Sequence, residues 1–170
     1  MCVLRDALGI HCFSKMAKHI FITTDGACIG NPGPGGWACI LRYKEHTKEL
    51  SGGEPNTTNN RMELRAVIEG LGAVRERCVI TVRTDSQYVK NGITKWIVSW
   101  KAKGWVHKVK GMHGKQPIKN RDLWEELDHL ANGHDITWEW VKGHSTDTEN
   151  IRCDLLANSA AKRLVEARQR

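Results

Sequence analysis

The amino-acid sequence predicts an α/β fold, with a five-stranded mixed sheet flanked by helices. The chain has 170 residues, 40% of them hydrophobic, which is enough to bury the core of one domain. Strand-like runs and helical patterns follow one another in the order β-β-β-α-β-α-α-α-β-α. Three consecutive strands favour an antiparallel meander, and strands joined through helices favour parallel pairing. The order therefore predicts a meander to which further strands are added in parallel.

The strands are expected where short apolar runs are bounded by turn residues. They cover about 19–28, 36–43, 47–53, 78–84 and 134–142. In the first run, Ile20, Phe21 and Ile22 make both faces apolar, as a central strand requires. The segment 30–36, rich in glycine and proline, is interpreted as a wide turn. It lacks the Lys-Ser/Thr pair of a phosphate-binding P-loop, which argues against a nucleoside-triphosphate site.

Helical periodicity predicts five segments, and polar residues mark some of their ends. The helices begin at about Asn60, cover 86–92 and 94–101, run from Asp122 to Ala131, and extend from Ile151 toward Arg168. Asn120 is a candidate N-terminal cap for the fourth helix, and Gly133 is a candidate stop. The expected buried side of the last helix consists of Leu155, Ala161, Leu164 and Val165.

Four carboxylates stand out by their positions, those of Asp25, Glu63, Asp85 and Asp154. Asp25 and Asp85 each follow an extended apolar run, and strand ends are where α/β sheets build ligand sites. Mg²⁺ in proteins is held by a few carboxylates together with substrate phosphates. The two acidic strand ends therefore favour phosphate chemistry.

Two of these carboxylates also have simpler interpretations. Glu63 lies three residues after Asn60, the spacing of a reciprocal helix cap, so it could serve the helix rather than a site. Asp154 is expected in the first turn of the last helix, where the helix dipole favours a carboxylate without any metal. The sequence alone leaves both alternatives open.

The positive charge of the chain is concentrated in one segment. The formal net charge is +7, yet residues 86–121 hold nine Lys/Arg and no Asp or Glu, so the rest of the chain carries −2. Trp96, Trp100 and Trp105 are interleaved with these lysines. A charge run is often only a solvated surface, but basic residues alternating with aromatic ones are typical of a surface that grips nucleic acid.

Cysteine usage predicts a reducing, cytoplasmic location. The six cysteines contain no CxxC pair, which argues against a zinc site. Cys39 and Cys78 lie inside apolar runs and are expected in the core, and no disulfide framework of a secreted domain is evident. No stretch approaches the roughly 18 consecutive apolar residues that span a bilayer.

The first fifteen residues form a separate extension before the domain. They lack a positively charged region ahead of an apolar core, which argues against a signal peptide. Met16 leads directly into the first strand and would make a natural start. We therefore expect a domain over 16–170, and interpret residues 1–15 as either a misassigned start or a loosely packed appendage.

Four ordered motifs resemble those of ribonuclease H, specifically its bacterial type I class. They are TDGACIGNPGPGGW from Thr24, TTNNRMEL from Thr57, TDSQYV from Thr84, and WEWVKGH from Trp138 followed by ENIRCD from Glu149. The resemblance covers roughly residues 16–165. It implies the ribonuclease H-like fold with a basic protrusion, over about 94–119, that carries the enzyme's own substrate grip.

The resemblance implies a metal-dependent endonuclease acting on RNA–DNA hybrids. Asp25, Glu63, Asp85 and Asp154 would bind two Mg²⁺ ions, for which Mn²⁺ could substitute, and His144 would carry protons. Such a pair of ions activates water and stabilises the leaving oxygen of an in-line displacement. The RNA strand would be cut to leave 5′-phosphate and 3′-hydroxyl ends, and the hybrid is the expected partner of a monomeric enzyme.

The resemblance also implies substrate contacts along the hybrid. Asn31, Asn59 and Gln87 match minor-groove positions, and their amides can both donate to and accept from a 2′-hydroxyl. Thr58 and Asn120 would form a pocket for a DNA phosphate. For Cys28, which matches another groove position, a buried thiol is the simpler alternative. The full expected set is Cys28, Asn31, Thr58, Asn59, Asn60, Gln87, Trp96, Trp100, Lys101, Lys103, Trp105 and Asn120.

Two other kinds of protein offer alternatives. A hybrid-binding module without catalysis would have lost at least one carboxylate, and none is lost here. A transposase- or integrase-like relative shares an acidic metal site but joins DNA, and the Asn/Gln set for 2′-hydroxyl contact argues against it. The segment Ser145–Thr148 departs from the family, which more commonly has small residues and glycine after the histidine.

Overall fold

The structure, a computed structural model, describes residues 18–109, 111, 113–143 and 147–168. The elements in chain order are β1 (His19–Cys28), β2 (Gly33–Tyr43), β3 (His46–Thr57), α1 (Asn59–Gly72), β4 (Val79–Thr84), α2 (Gln87–Asn91), α3 (Ile97–Ala102), β5 (Val106–Lys108), β6 (Lys115–Pro117), α4 (Arg121–Ala131), β7 (Asp135–Trp140) and α5 (Thr148–Arg168). A π-helical turn, Gly92–Trp96, joins α2 to α3. The predicted extension, residues 1–15, lies outside the described residues.

The central sheet has the strand order β3-β2-β1-β4-β7. β1, β2 and β3 pair antiparallel, whereas β4 pairs parallel to both β1 and β7, so the predicted meander with parallel additions is confirmed. Thr24 lies opposite Thr84 in this register. The carboxyl end of β4 therefore lies beside the second half of β1, which places Asp85, directly after β4, next to Asp25.

Helices cover both faces of the sheet, as the alternation of side chains along β2 shows. Cys39 and Leu41 belong to the larger core with α1, whereas Ala38 and Ile40 pack with α5. Successive residues of a strand point to opposite faces, so one apolar run supplies both cores. Cys39 and Cys78 are buried free thiols, as predicted. None of the helices in the described part of the chain combines the length and the hydropathy of a membrane span.

Two glycines let the helices lie directly on the backbone of the sheet. A Cβ atom at Gly36 would stand 2.0 Å from the carbonyl oxygen of Ala157 in α5. A Cβ atom at Gly26 would stand 2.4 Å from the backbone nitrogen of Glu63 in α1. The contact at Gly26 brings Glu63 against the end of β1, beside Asp25.

The start of α5 differs from the prediction. The helix begins at Thr148 rather than near Ile151, because Asp147 Oδ1 accepts hydrogen bonds from the backbone nitrogens of Glu149 and Asn150, at 3.0 and 3.1 Å. Asp154 consequently lies in the second turn, not the first. Leu155 was also predicted wrongly, since its side chain is 54% exposed, whereas Ala161 is buried as expected.

The basic segment contains a small hairpin that the sequence did not predict. β5 and β6 pair antiparallel after the short helices α2 and α3. Trp100 and Trp105 pack partly against the main core, beside the fully buried Trp124. Asn120 occupies the N-cap position of α4 as predicted, but its side chain makes no capping hydrogen bond. Aromatic side chains therefore anchor the basic segment to the main core.

Candidate active site

Three of the four predicted carboxylates meet at the edge of the sheet. Asp25 lies in β1, Glu63 in α1, and Asp85 directly after β4. One oxygen atom from each of them lies within 4.8 Å of the other two. Asp25 and Glu63 are buried and Asp85 is half-buried. Asp85 is therefore the most exposed of the three.

Glu63 points into this cluster and does not cap its helix. Thr58 is the N-cap residue of α1, and its side chain makes no capping hydrogen bond. Asn59 Nδ2 donates to Glu63 Oε1 at 3.3 Å, while Glu63 Oε2 is buried without a hydrogen-bond partner in the described part of the chain. A buried, unpaired carboxylate oxygen is costly unless a cation or donor satisfies it. The capping alternative is therefore wrong, and the oxygen suits a metal ligand.

The electrostatics of the cluster favour a bound cation. Burial, followed by the charges of Asp85 and Asp154, raises the pKa of Asp25 to about 7, although the Gly26 N–H group donates to Oδ1 at 2.7 Å. Burial, followed by the charges of Asp25 and Asp85, raises the pKa of Glu63 well above its usual value. Hard divalent cations prefer oxygen ligands of this kind, so the residues present fit such an ion.

Asp154 lies at the margin of the site. It is half-buried in the second turn of α5, and Asn158 Nδ2 donates to its Oδ1 at 2.8 Å. Its charge contributes to the raised pKa of Asp25, but it is not one of the three residues grouped within 4.8 Å. The predicted proton carrier, His144, lies outside the described residues.

The predicted groove residues surround the N-termini of α1 and α2. Asn31 Oδ1 accepts a hydrogen bond from the backbone nitrogen of Asn59 at 3.1 Å. Gln87 is exposed two residues after Asp85, and its Oε1 accepts from Asn91 Nδ2 at 3.4 Å. Cys28 is half-buried rather than buried, with its Sγ 3.5 Å from the Thr57 carbonyl oxygen. Asn60 is half-buried in the first turn of α1.

The predicted residues of the protrusion differ in how accessible they are. Trp96 is 39% exposed, whereas Trp100 is half-buried and meets Trp124 edge to face, with ring centroids 5.3 Å apart. Lys101 Nζ forms an ion pair with Asp128 Oδ2 at 2.6 Å, so part of its charge is already matched. Lys103 is exposed. Lys101 therefore offers less unmatched charge to a polyanion than a lysine without an acidic neighbour.

Residues that sequence reasoning missed hold Asp85 in place. Trp140 Nε1 donates to the backbone oxygen of Asp85 at 2.9 Å. A Cβ atom at Gly143 would stand 2.9 Å from Asp85 Oδ2, so a larger residue at this position would press on the Asp85 carboxylate. Both residues belong to the WEWVKGH motif, in which the sequence alone singled out His144. The motif was the available signal, because no local pattern links residues so distant in sequence.

Without metal, the free energy of unfolding should fall as pH rises from about 4 to 7. The pKa of Asp25 is raised from 3.8 to about 7, so the folded protein holds this proton more tightly than the unfolded chain does. The raised pKa of Glu63 likewise makes the folded protein less stable as pH rises. The loss is on the order of a few kcal/mol, since one pKa unit is about 1.4 kcal/mol. Urea denaturation in EDTA at about pH 5 and about pH 8 measures it.

Added Mg²⁺ should recover more stability at the higher pH, because a cation competes with the proton for the same oxygens. Asp25→Asn supplies the control and should flatten the pH dependence. A metal-free protein that becomes more stable between about pH 5 and about pH 8 would contradict the assignment of these raised pKa values.

Comparisons with known proteins agree with this geometry. The family model described as RNase H matches residues 17–162. Ribonuclease HI of Neisseria meningitidis serogroup A is 55% identical over 146 residues, covering 86% of this chain and 97% of that protein. Ribonuclease HI of Pasteurella multocida is 56% identical over 147 residues, covering 86% of this chain and 92% of that protein.

Solved structures share the same architecture. LC9-RNase H1, described as a type 1 RNase H with the type 2 active-site motif, superposes with a TM-score of 0.76 at 32% identity, covering 87% of this chain and 74% of that one. LC11-RNase H1 in complex with an RNA/DNA hybrid gives a TM-score of 0.60 at 24% identity, covering 86% of this chain and 99% of that one. The second likeness concerns the fold alone.

Proposed function

The chain belongs to the ribonuclease H family, and on this premise we propose that it cuts the RNA strand of RNA–DNA hybrids with two divalent cations. The observation that carries the proposal is the convergence of Asp25, Glu63 and Asp85, whose oxygen atoms lie within 4.8 Å of one another beside the carboxyl end of β4. Mg²⁺ is the proposed ion, with Mn²⁺ as a substitute. The products are a 5′-phosphate and a 3′-hydroxyl.

The chain's own residues hold, orient and shield the reacting groups. Asp25, Glu63 and Asp85 supply the ligand oxygens, and Asp154 adds a fourth negative charge close to Asp25. Asn59 fixes one oxygen of Glu63 and leaves the other facing the site. Cations bound there would activate water and stabilise the leaving oxygen. His144 is proposed to carry a proton, since imidazole titrates near neutral pH.

The proposed substrate is recognised through its ribose hydroxyls. Asn31 and Asn59 are linked at the N-terminus of α1, and Gln87 stands exposed beside Asp85. Hybrid duplexes are recognised by groove shape and 2′-hydroxyl contacts rather than by base edges. The amide side chains of Asn31, Asn59 and Gln87 can each donate and accept hydrogen bonds, and a 2′-hydroxyl group can do both as well. Asn59 is hydrogen-bonded to Glu63, and Gln87 follows Asp85 by two residues, so these amides adjoin the carboxylates.

A direct cleavage assay tests the proposal. Purified protein is incubated with an RNA–DNA hybrid, an RNA duplex or a DNA duplex in Mg²⁺, with EDTA as the control. We expect cutting of the RNA strand of the hybrid only, and only with metal. Cutting of DNA duplex would favour the integrase-like alternative. Tight hybrid binding without cleavage would favour the binding module.

Replacing Gln87 by Ala should reduce hybrid cleavage and weaken the discrimination between RNA and DNA. A hydroxyl missing from a site built to bind it costs about 1–3 kcal/mol in unsatisfied polar groups. A chimeric strand with deoxynucleotides at the contacted positions should therefore slow the wild type far more than the variant. Asn132→Ala, at an exposed end of α4, is the matched control. Equal losses in the wild type and Gln87→Ala would reassign hydroxyl recognition to another residue.

Replacing Lys103, Lys108 and Lys115 together by Ala should weaken hybrid binding and flatten its salt dependence. All three are exposed in or beside the β5–β6 hairpin. Removing one lysine–phosphate interaction changes the log–log salt slope by about 0.9 on duplex nucleic acid. Turnover at saturating hybrid should not change, because none of the three is part of the carboxylate cluster.

The control for this experiment removes the same charge elsewhere. Lys44, Lys48 and Lys162 are also exposed but lie outside the basic segment. Their triple alanine variant should keep the wild-type slope in fluorescence titrations at several salt concentrations. Identical slopes for both triple variants would mean that the hairpin is only a solvated surface.

We also propose that the enzyme works as a monomer in the cytoplasm. The four cysteines within the described residues are free, which supports a reducing compartment. Light scattering after size exclusion, with and without hybrid, tests the monomer.

A further inference from the structure

The guanidinium of Arg83 in β4 faces three carboxylates, two of them at the start of α5. Its Nη2 atom lies 2.6 Å from Asp147 Oδ2, and its Nη1 atom lies 4.0 Å from Glu149 Oε2. Its Nε atom lies 3.6 Å from Oε2 of Glu139 in β7, the strand that pairs with β4 on the side away from β1. The side chains of Arg83 and Asp147 are only 25% and 20% exposed, so water and salt screen this pair less than a pair on the open surface.

Asp147 connects this ion pair to the backbone of α5. Its Oδ1 accepts hydrogen bonds from the backbone nitrogens of Glu149 and Asn150, while its Oδ2 faces Arg83. Burial alone would raise the pKa of Asp147, but the Asn150 N–H group and the charge of Arg83 outweigh it, and the pKa is lowered. One carboxylate therefore caps the helix and also fastens it to β4.

A second set of contacts joins the same part of α5 to β1 and β2. Glu149 Oε1 accepts a hydrogen bond from Arg42 Nε at 2.7 Å, and Glu149 Oε2 accepts one from Thr23 Oγ1 at 3.0 Å. One turn later, the Cys153 thiol donates to the backbone oxygen of Thr23 at 3.2 Å. Thr23 is the partner of Arg83 in the β1–β4 register. The start of α5 is thus held at one level of the sheet, across three neighbouring strands.

This level of the sheet lies just before the carboxylate cluster. Thr23 precedes Asp25 by two residues, and Arg83 precedes Asp85 by two residues. A side chain that fixes α5 here fixes it relative to the strand positions that carry the cluster.

Asp154 is carried by the helix that these contacts hold. It lies seven residues, or about two helical turns, after Asp147, so the two residues lie on about the same side of α5. A shift or rotation of the first turn is therefore passed on to Asp154. The charge of Asp154 helps to raise the pKa of Asp25, so the two carboxylates repel each other when no cation is bound. The ion pair of Arg83 with Asp147 opposes that repulsion.

We propose that Arg83 is a positioning residue for the metal site. By pairing with Asp147 it fixes the start of α5 to β4, and this sets the distance of Asp154 from Asp25. Arg83 touches neither a cation nor the substrate in this role. Without the pair, Asp154 moves away from the cluster and cations bind more weakly. The inference rests on the proposed two-cation function.

Arg83→Gln tests the inference, because electrostatics and positioning predict opposite results for it. Removing a positive charge near a cation site should by itself tighten cation binding, whereas losing the position of Asp154 should weaken it. We expect the Mn²⁺ dissociation constant, measured by titration calorimetry on metal-free protein, to rise about tenfold, the lower end of what residues supporting metal ligands contribute. The Mg²⁺ midpoint of hybrid cleavage should rise by a similar factor, with KM for hybrid unchanged.

The matched control is Arg152→Gln, which removes the same charge and another ion pair between α5 and the sheet. Arg152 binds both carboxylate oxygens of Glu49 in β3, at 2.9 and 2.8 Å. This variant should keep the wild-type Mn²⁺ dissociation constant. Asp147→Asn keeps a favourable helix cap but loses the charge, so it should reproduce most of the effect of Arg83→Gln. The double variant of Arg83 and Asp147 should be no worse than Arg83→Gln alone.

A variant of Asp154 tests whether Arg83 acts through this residue. In an Asp154→Asn protein, Arg83→Gln should cause no further loss of Mn²⁺ affinity. All titrations are run at a temperature where circular dichroism shows each variant folded, so a loss of stability alone cannot imitate the result. Unchanged or tighter Mn²⁺ binding by Arg83→Gln, or a full tenfold loss in the Asp154→Asn protein, would overturn the positioning role. A wild type that binds no Mn²⁺ would instead refute the proposed function.

Discussion

Replacing Asp25 by Asn should lower the rate of hybrid cleavage by at least about a thousandfold. The substitution keeps the shape of the side chain but removes one negative charge from a cluster proposed to hold two dications. Metal ions in such sites supply several kcal/mol of transition-state stabilisation, and about 4 kcal/mol corresponds to a factor of a thousand in rate. Asp25 is buried and central to the cluster, so another carboxylate cannot take its place.

The same variant should be at least as stable as the wild type when metal is absent. Burial and two neighbouring carboxylates raise the pKa of Asp25 to about 7, so its ionised form opposes folding near neutral pH. Single-turnover cleavage at saturating Mg²⁺ and urea denaturation in EDTA measure the two effects. Asp135→Asn, at the exposed start of β7, is the control and should change neither. Near-wild-type cleavage by Asp25→Asn would remove Asp25 from the metal ligands.

The central sheet could be predicted because its apolar runs carry a clear periodic signal. β1 was predicted with its observed bounds, and the order of elements gave the correct mixture of pairings. The start of α5 could not be found in the same way, because Ser145–Thr148 contains only polar residues. Asp147 was the missed signal, since Asp is a favoured N-cap residue. Leu155 was placed on the wrong face for another reason, because a separation of six residues does not put it on the same side of a helix as the buried Ala161.

The candidate site was predictable in part, for a different reason. Each carboxylate had a local explanation, and only the joint resemblance of the motifs separated a metal site from a helix cap at Glu63. The bonds that hold the site join residues far apart in sequence, such as Trp140 with Asp85 and Asn31 with Asn59. Such contacts follow from the three-dimensional arrangement of the strands and helices, and no local pattern marks them.

Gly26→Ala should destabilise the protein by about 3 kcal/mol and impair cleavage at the same time. The new Cβ atom would lie 2.4 Å from the backbone nitrogen of Glu63 and 2.6 Å from the backbone carbon of Met62. Backbone atoms cannot rotate away, so α1 would have to move off β1, and overpacking of this kind typically costs about 1–3 kcal/mol. That movement would carry Glu63 away from Asp25 and open the metal site.

Gly72→Ala is the matched control, and its effect on the free energy of unfolding is expected to have the opposite sign. Gly72 ends α1, and nothing lies within 4 Å of where its Cβ atom would be. Alanine there should raise the free energy of unfolding by about 0.5–1 kcal/mol and leave cleavage unchanged. Denaturation midpoints and Mg²⁺ titrations of cleavage compare the two variants. If Gly26→Ala were as stable and as active as Gly72→Ala, the close contact of α1 with β1 would not set the distance between Glu63 and Asp25.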